Sequence, residues 1–145
     1  MKAIANTVCR LIEKYGTADP WEICDKMGII VHEHELPGHI NGFASSYNGV
    51  SFIVLNKLPD HFEKKITLAH ELGHIILHGC TNSINLSMNP GFCTSKLERE
   101  ADCFAAHLLF YDELDEINSM ETVTAEDVAR LTHMPVQMVQ DAFIG

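Results

Sequence analysis

Residues 66–77 form an apolar run broken by two histidines and a glutamate: Ile66-Thr67-Leu68-Ala69-His70-Glu71-Leu72-Gly73-His74-Ile75-Ile76-Leu77. Read as a helix, the run is apolar on nearly every side, which places it in the interior of a fold. His70 and His74 are four residues apart, so both imidazoles leave one face about 6 Å apart along the axis. A buried imidazole without a partner is costly, whereas metal ligation uses its neutral form. The spacing suits one Zn²⁺, and Glu71 between the pair is positioned to act on a water activated by such an ion. With nine histidines and 20 acidic residues in 145, the spacing alone is only suggestive. The rest of the chain has to supply a third ligand.

The neighbouring segments set the elements around this helix. Leu58-Pro59-Asp60 is a helix start, and Gly79 follows His78 as a stop. Upstream, Ile4, Val8, Leu11, Ile12 and Tyr15 recur at helical spacing and predict a first helix from about residue 2 to Tyr15. Asp19-Pro20 caps a short second helix that ends at Gly28. Ile29-Ile30-Val31 reads as a strand. Asn48-Gly49 between Phe43–Tyr47 and Val50–Leu55 is a strong two-residue hairpin signal. Downstream come a polar loop over 80–93, a helix from about Ser95 to Phe110, and two short helices, Thr124–Thr132 and Pro135–Phe143. Three strands followed only by helices predict an α+β fold, a small three-stranded sheet packed with about five to six helices. Gly73 reads either as small so that the sheet can come close or as a tolerated flaw in the helix.

Composition excludes several functions. The length suits one domain over 1–145, with a core at about 20–110 and a helical tail at about 113–145. A net charge of −10 argues against nucleic acid or anionic membrane as direct partners and is compatible with a protein or peptide. No stretch approaches the roughly 20 apolar residues of a membrane span. Polar residues interrupt the N-terminus where a signal peptide would be apolar. Five cysteines without a C-x-x-C pair point to reduced thiols and a cytoplasmic location. The acidic pair of C-terminal helices has some helix-turn-helix character, but packing or substrate docking suits it better than DNA reading.

A catalytic zinc needs a third protein ligand and an open position. Leu97, Ala101, Phe104 and Leu108 form the apolar stripe of the helix after Ser95. Glu98 and Asp102 lie on one flank of that stripe and Glu100 on the other. Glu98 is therefore preferred as the ligand, with Asp102 accepting a hydrogen bond from a ligating imidazole, and Glu100 is the alternative.

The run Leu68-Ala69-His70-Glu71-Leu72-Gly73-His74 with Leu77-His78, and the later Glu98-Arg99-Glu100-Ala101-Asp102-Cys103-Phe104-Ala105-Ala106-His107-Leu108-Leu109, resemble the ImmA/IrrE family of metallo-endopeptidases. Met27-Gly28-Ile29-Ile30-Val31, Gly42-Phe43 and Ile53-Val54-Leu55-Asn56 agree with it as well. The resemblance covers roughly residues 20–110 and departs from the family at Phe110-Tyr111. It implies a zincin-like fold with the His-Glu-Leu-Gly-His helix at its centre, a zinc held by His70, His74 and Glu98, and cytoplasmic proteolysis of a helix-turn-helix repressor of a mobile element or stress locus.

The expected chemistry is hydrolysis of a peptide bond, with Glu71 as general base and then acid. An oxyanion donor is also needed, and His107, His78 and Tyr111 are the candidates. His78 lies about 12 Å along the helix from His70, too far to join the same metal shell. His32, His34, His39, His61 and His133 read as loop, strand or surface residues. The rival reading keeps the zinc and makes the protein a non-proteolytic partner that sequesters a repressor. A retained Glu71 favours the enzyme.

Overall fold

The computed structural model describes residues 2–79 and 95–144. The polar loop expected at 80–93, with Cys80 and Cys93, lies outside the described residues. Helices α1 (Lys2–Tyr15) and α2 (Pro20–Met27) lead into strands β1 (Ile30–His34), β2 (Gly42–Tyr47) and β3 (Val50–Asn56). Then follow α3 (His61–His78), α4 (Ser95–Asp112), α5 (Leu114–Asn118), α6 (Ala125–Thr132) and α7 (Val136–Phe143). Most starts and stops are those the sequence announces. Asp19 caps α2 by accepting from the Trp21 N–H, with Pro20 at the first helical position. Asp60 caps α3 through the Glu63 N–H, and Thr124 and Asp127 form a capping box on α6.

The fold is α+β, with seven helices among the described residues. The helix absent from the sequence reading, α5, is a single turn too short to show periodicity, and it is held by the buried Ile117. Strand β1 starts one residue later and ends three residues further along than its apolar run suggests. His32, Glu33 and His34 are exposed on a sheet edge, so this strand needs no apolar alternation.

The sheet order is β1-β3-β2, with β1 parallel and β2 antiparallel to β3. Asn48 and Gly49 both take positive φ, 51° and 79°, as a tight hairpin turn requires. Because β2 lies beyond β3, residues 35–41 must cross the end of the sheet. The buried Asn56 fastens that crossing. Its amide donates to the carbonyls of Leu36 and Ile40, and its oxygen accepts from the N–H groups of Leu36 and Leu58.

Helix α3 packs on β2 and β3 through one side and on α4 through another. Ala44, Ile53 and Leu55 of the sheet join Leu68, Ala69 and Leu72 of α3 and Phe104, Ala105 and Leu108 of α4 in one core. Paired residues show that α3 and α4 run antiparallel: Lys65 bonds Asp112 at one end and His70 bonds Asp102 toward the other. The α6–α7 pair completes this core with Val128, Met134, Val139 and Ala142.

The close approach allowed by Gly73 is to α4 rather than to the sheet. A Cβ there would stand 3.0–3.1 Å from three atoms of the fully buried Phe104. The tight position against the sheet side is Gly42, whose Cβ would meet the Val54 carbonyl at 2.8 Å and Thr67 Cγ2 at 2.9 Å. At an ordinary helix site Gly→Ala gains about 1 kcal/mol. At Gly73 the overpacking of about 1–3 kcal/mol outweighs that gain. Gly73→Ala should therefore lower stability by about 1 kcal/mol in urea unfolding, and a rise in the midpoint would contradict this packing.

Candidate metal centre

The last turns of α3 place His70, His74 and His78 in a row at four-residue intervals, and the first turns of α4 lie against that row. His70 Nε2 and His74 Nε2 are 3.2 Å apart. The Glu98 carboxylate closes a triangle with them, at 3.1 Å from His70 Nε2 and 3.0 Å from His74 Nε2. Among the described residues these three form the group that could hold a metal ion. Ligand bonds of about 2.0–2.1 Å around a tetrahedral ion put donors about 3.3 Å apart, so the triangle has the size such an ion needs. Two imidazoles and a carboxylate are also the donor set of a catalytic zinc site.

The outer nitrogens are engaged too. Asp102 Oδ1 lies 2.7 Å from His70 Nδ1, and His78 Nδ1 lies 3.0 Å from His74 Nδ1. Glu98 and Asp102 therefore converge on the histidine pair as their shared helix flank predicts. Glu100 does not point away, however. Its carboxylate reaches to 3.8 Å from His78 Nε2, because the third histidine extends the polar edge of α3 by one more turn.

Electrostatics follow from this crowding. Burial alone would lower the His70 pKa, but hydrogen bonds to Asp102 and Glu98 outweigh it and push it up to about 10. Hydrogen bonds to His70 and His74 hold Glu98 well below the usual carboxylate range. Burial and the neighbouring His74 lower the pKa of His78. Glu71 is buried on the same helix and lines a cleft of about 350 Å³ together with His70, Glu98 and Asp102. His39, Asn41 and Gly42 from the loop and β2, with Ile66 and Thr67 from α3, complete the lining.

Of the three oxyanion candidates, none is among the residues lining the cleft. His107 is buried against Phe143 of α7, where burial lowers its pKa. Tyr111 accepts a hydrogen bond from Cys9 Sγ of α1. His78 sits behind His74. The residues missed by sequence reasoning are His39 and Asn41, which belong to the loop fastened by Asn56. Neither has a spacing relation to His70 and His74, so only the crossover of the sheet reveals them. Cys9, Cys24 and Cys103 are free thiols, and burial pushes Cys24 up to about 12, which leaves it inert.

A family model described as the IrrE N-terminal-like domain, a peptidase family, matches residues 24–143. The chain belongs to this family. It is 31% identical over 135 residues to a protein of Bacillus phage phi105 named "uncharacterized immunity region protein 2", covering 93% of this chain and 85% of the relative. It is also 26% identical over 136 residues to "metallopeptidase ImmA" of Bacillus subtilis strain 168, covering 92% and 80%. No solved structure matches the chain. Membership of this peptidase family, a metallopeptidase relative and a triad able to hold a metal together support a metallopeptidase function.

The pKa shifts fix how the metal-free chain responds to pH. His70 is raised above its unfolded value of 6.5, so its contribution is complete below that pH and is lost as pH rises toward about 10. Glu98 is depressed, so its contribution is present above 4.5 and is lost as pH falls below it. In a chelator, the urea midpoint should be highest between these limits and decline on the alkaline side. A midpoint that climbs from pH 7 to 9.5 would contradict the His70 assignment.

Proposed function

We propose that the chain is a zinc-dependent endopeptidase and that its substrate is a helix-turn-helix repressor cut at one site in the cytoplasm. The observation that carries this reading is the triangle of His70, His74 and Glu98 with Glu71 on the same cleft. His70, His74 and Glu98 would hold the ion, and Asp102 would fix the His70 tautomer by accepting from Nδ1. When bound, zinc acidifies water and polarises a carbonyl. Glu71 takes the proton of the attacking water and delivers it to the leaving amine. Buried beside the ligands, it is shielded from bulk solvent.

The cleft also suggests how a peptide is gripped. Strand β2 is an edge of the sheet, and its first residue, Gly42, lines the cleft. An extended peptide added beside β2 would run past the metal donors, a recurring mode of peptide capture. His39 supplies an imidazole to the same cleft as Glu71, and we assign it the oxyanion donor role. The relative in a phage immunity region supports a repressor as the substrate. The free thiols and a DNA-binding substrate support the cytoplasm. No described helix is long and apolar enough to cross a membrane.

The test is incubation or co-expression with the product of the neighbouring gene and with helix-turn-helix repressors of the same genome, followed by mass spectrometry of fragments. Wild type should cut its target once. Glu71→Gln should lose on the order of 10³-fold in rate with zinc content unchanged, and His74→Ala should lose both activity and zinc. Binding by all three forms without any cleavage would overturn the enzyme reading. His39→Ala should lower kcat on the order of 10²-fold with KM little changed; an unchanged kcat would remove His39 from the mechanism.

A further inference from the structure

His74 presents only two ring nitrogens, and its surroundings give each a different task. Nε2 faces Glu98 at 3.0 Å and His70 Nε2 at 3.2 Å. Nδ1 faces His78 Nδ1 at 3.0 Å. Two imidazole nitrogens at that distance form a hydrogen bond only when one carries a proton and the other does not. If Nε2 of His74 gives its lone pair to a metal, the proton of the neutral ring resides on Nδ1. His74 Nδ1–H then donates, and His78 Nδ1 accepts. The proton of His78 must in turn sit on Nε2, which lies 3.8 Å from Glu100 Oε1. The row then runs from His74 through His78, with the carboxylate of Glu100 beyond it at ion-pair rather than hydrogen-bond distance.

We propose that His78, oriented by Glu100, is a positioning residue that fixes the tautomer and ring plane of His74 and thereby strengthens metal binding. The inference rests on the metal-centre reading above and assigns a role to two side chains outside the triangle. His70 has a carboxylate directly on its outer nitrogen, Asp102 Oδ1 at 2.7 Å. His74 is 1% exposed, with an imidazole in that place and the carboxylate one step further out. The two ligands are thus supported unequally. The His74 side depends on a neutral acceptor whose own orientation is set at long range.

The experiment measures zinc affinity by chelator competition and the absorption spectrum of the Co²⁺-loaded chain. The variants are His78→Leu, His78→Gln and Glu100→Gln. Removing an outer partner of a ligating histidine costs roughly 10–100-fold in metal affinity. His78→Leu should fall in that range and alter the Co²⁺ bands. His78→Gln, which retains an acceptor, should recover most of the loss, and Glu100→Gln should weaken binding about threefold to tenfold. Urea unfolding in chelator controls for the fold: a purely structural residue would lower that stability and leave the affinity of the remaining folded chain unchanged. If His78→Leu and Glu100→Gln both bind zinc within twofold of wild type, the inference is wrong while the metal centre stands. If wild type binds neither zinc nor Co²⁺, both fail together.

Discussion

Four ring nitrogens in the interior have to be satisfied, and much of the architecture follows from how this is done. His74 is buried in α3 and His70 is partly exposed where it lines the cleft, and side chains engage the nitrogens of both rings. Their partners come from one neighbouring helix and from the next turn of their own: Glu98 on both inner nitrogens, Asp102 and His78 on the outer ones. For carboxylates on α4 to come so near, the two helices must almost touch. Gly73 against the Phe104 ring permits that contact. A residue type usually avoided in helix interiors is thus required by the polar chemistry one residue away.

The same constraint explains why so much of the site was legible in the sequence. Helical spacing alone puts His70 with His74, and Glu98 with Asp102, because each pair lies within a single regular element. Capping residues such as Asp19, Asp60 and Thr124 likewise mark their own helices. What spacing does not convey is how far one helix extends along another. Spacing along α4 alone sets Glu100 on the flank away from Glu98, and it approaches His78 because the histidine row of α3 continues past His74. His39 and Asn41 were hidden for a further reason. Their place beside the metal donors depends on β2 lying beyond β3, a matter of sheet order that no local pattern encodes. Of the two readings of Gly73, close packing holds, but against α4 rather than the sheet.

The two walls of the cleft differ in physical character. The α3–α4 wall is charged, and hydrogen bonds and close packing hold it. The rest of the lining comes from an exposed loop leading into β2, an edge strand of the sheet. A hydrolase of peptide bonds needs both. One surface must hold the reactive groups to within a fraction of an ångström, and the other must accept an extended chain of varied sequence.

Asn56 links those two surfaces. Its amide bonds loop residues on either side of His39, yet it belongs to β3, the strand that backs α3. Residues 37–39 thus form a short span tethered at both ends, at Leu36 and Ile40. Exchanges within that span would change what the cleft grips without displacing the donors on the helices. One buried side chain thus makes specificity and chemistry separately adjustable, so that sister proteins built on this frame could diverge in their targets while keeping the same hydrolytic centre.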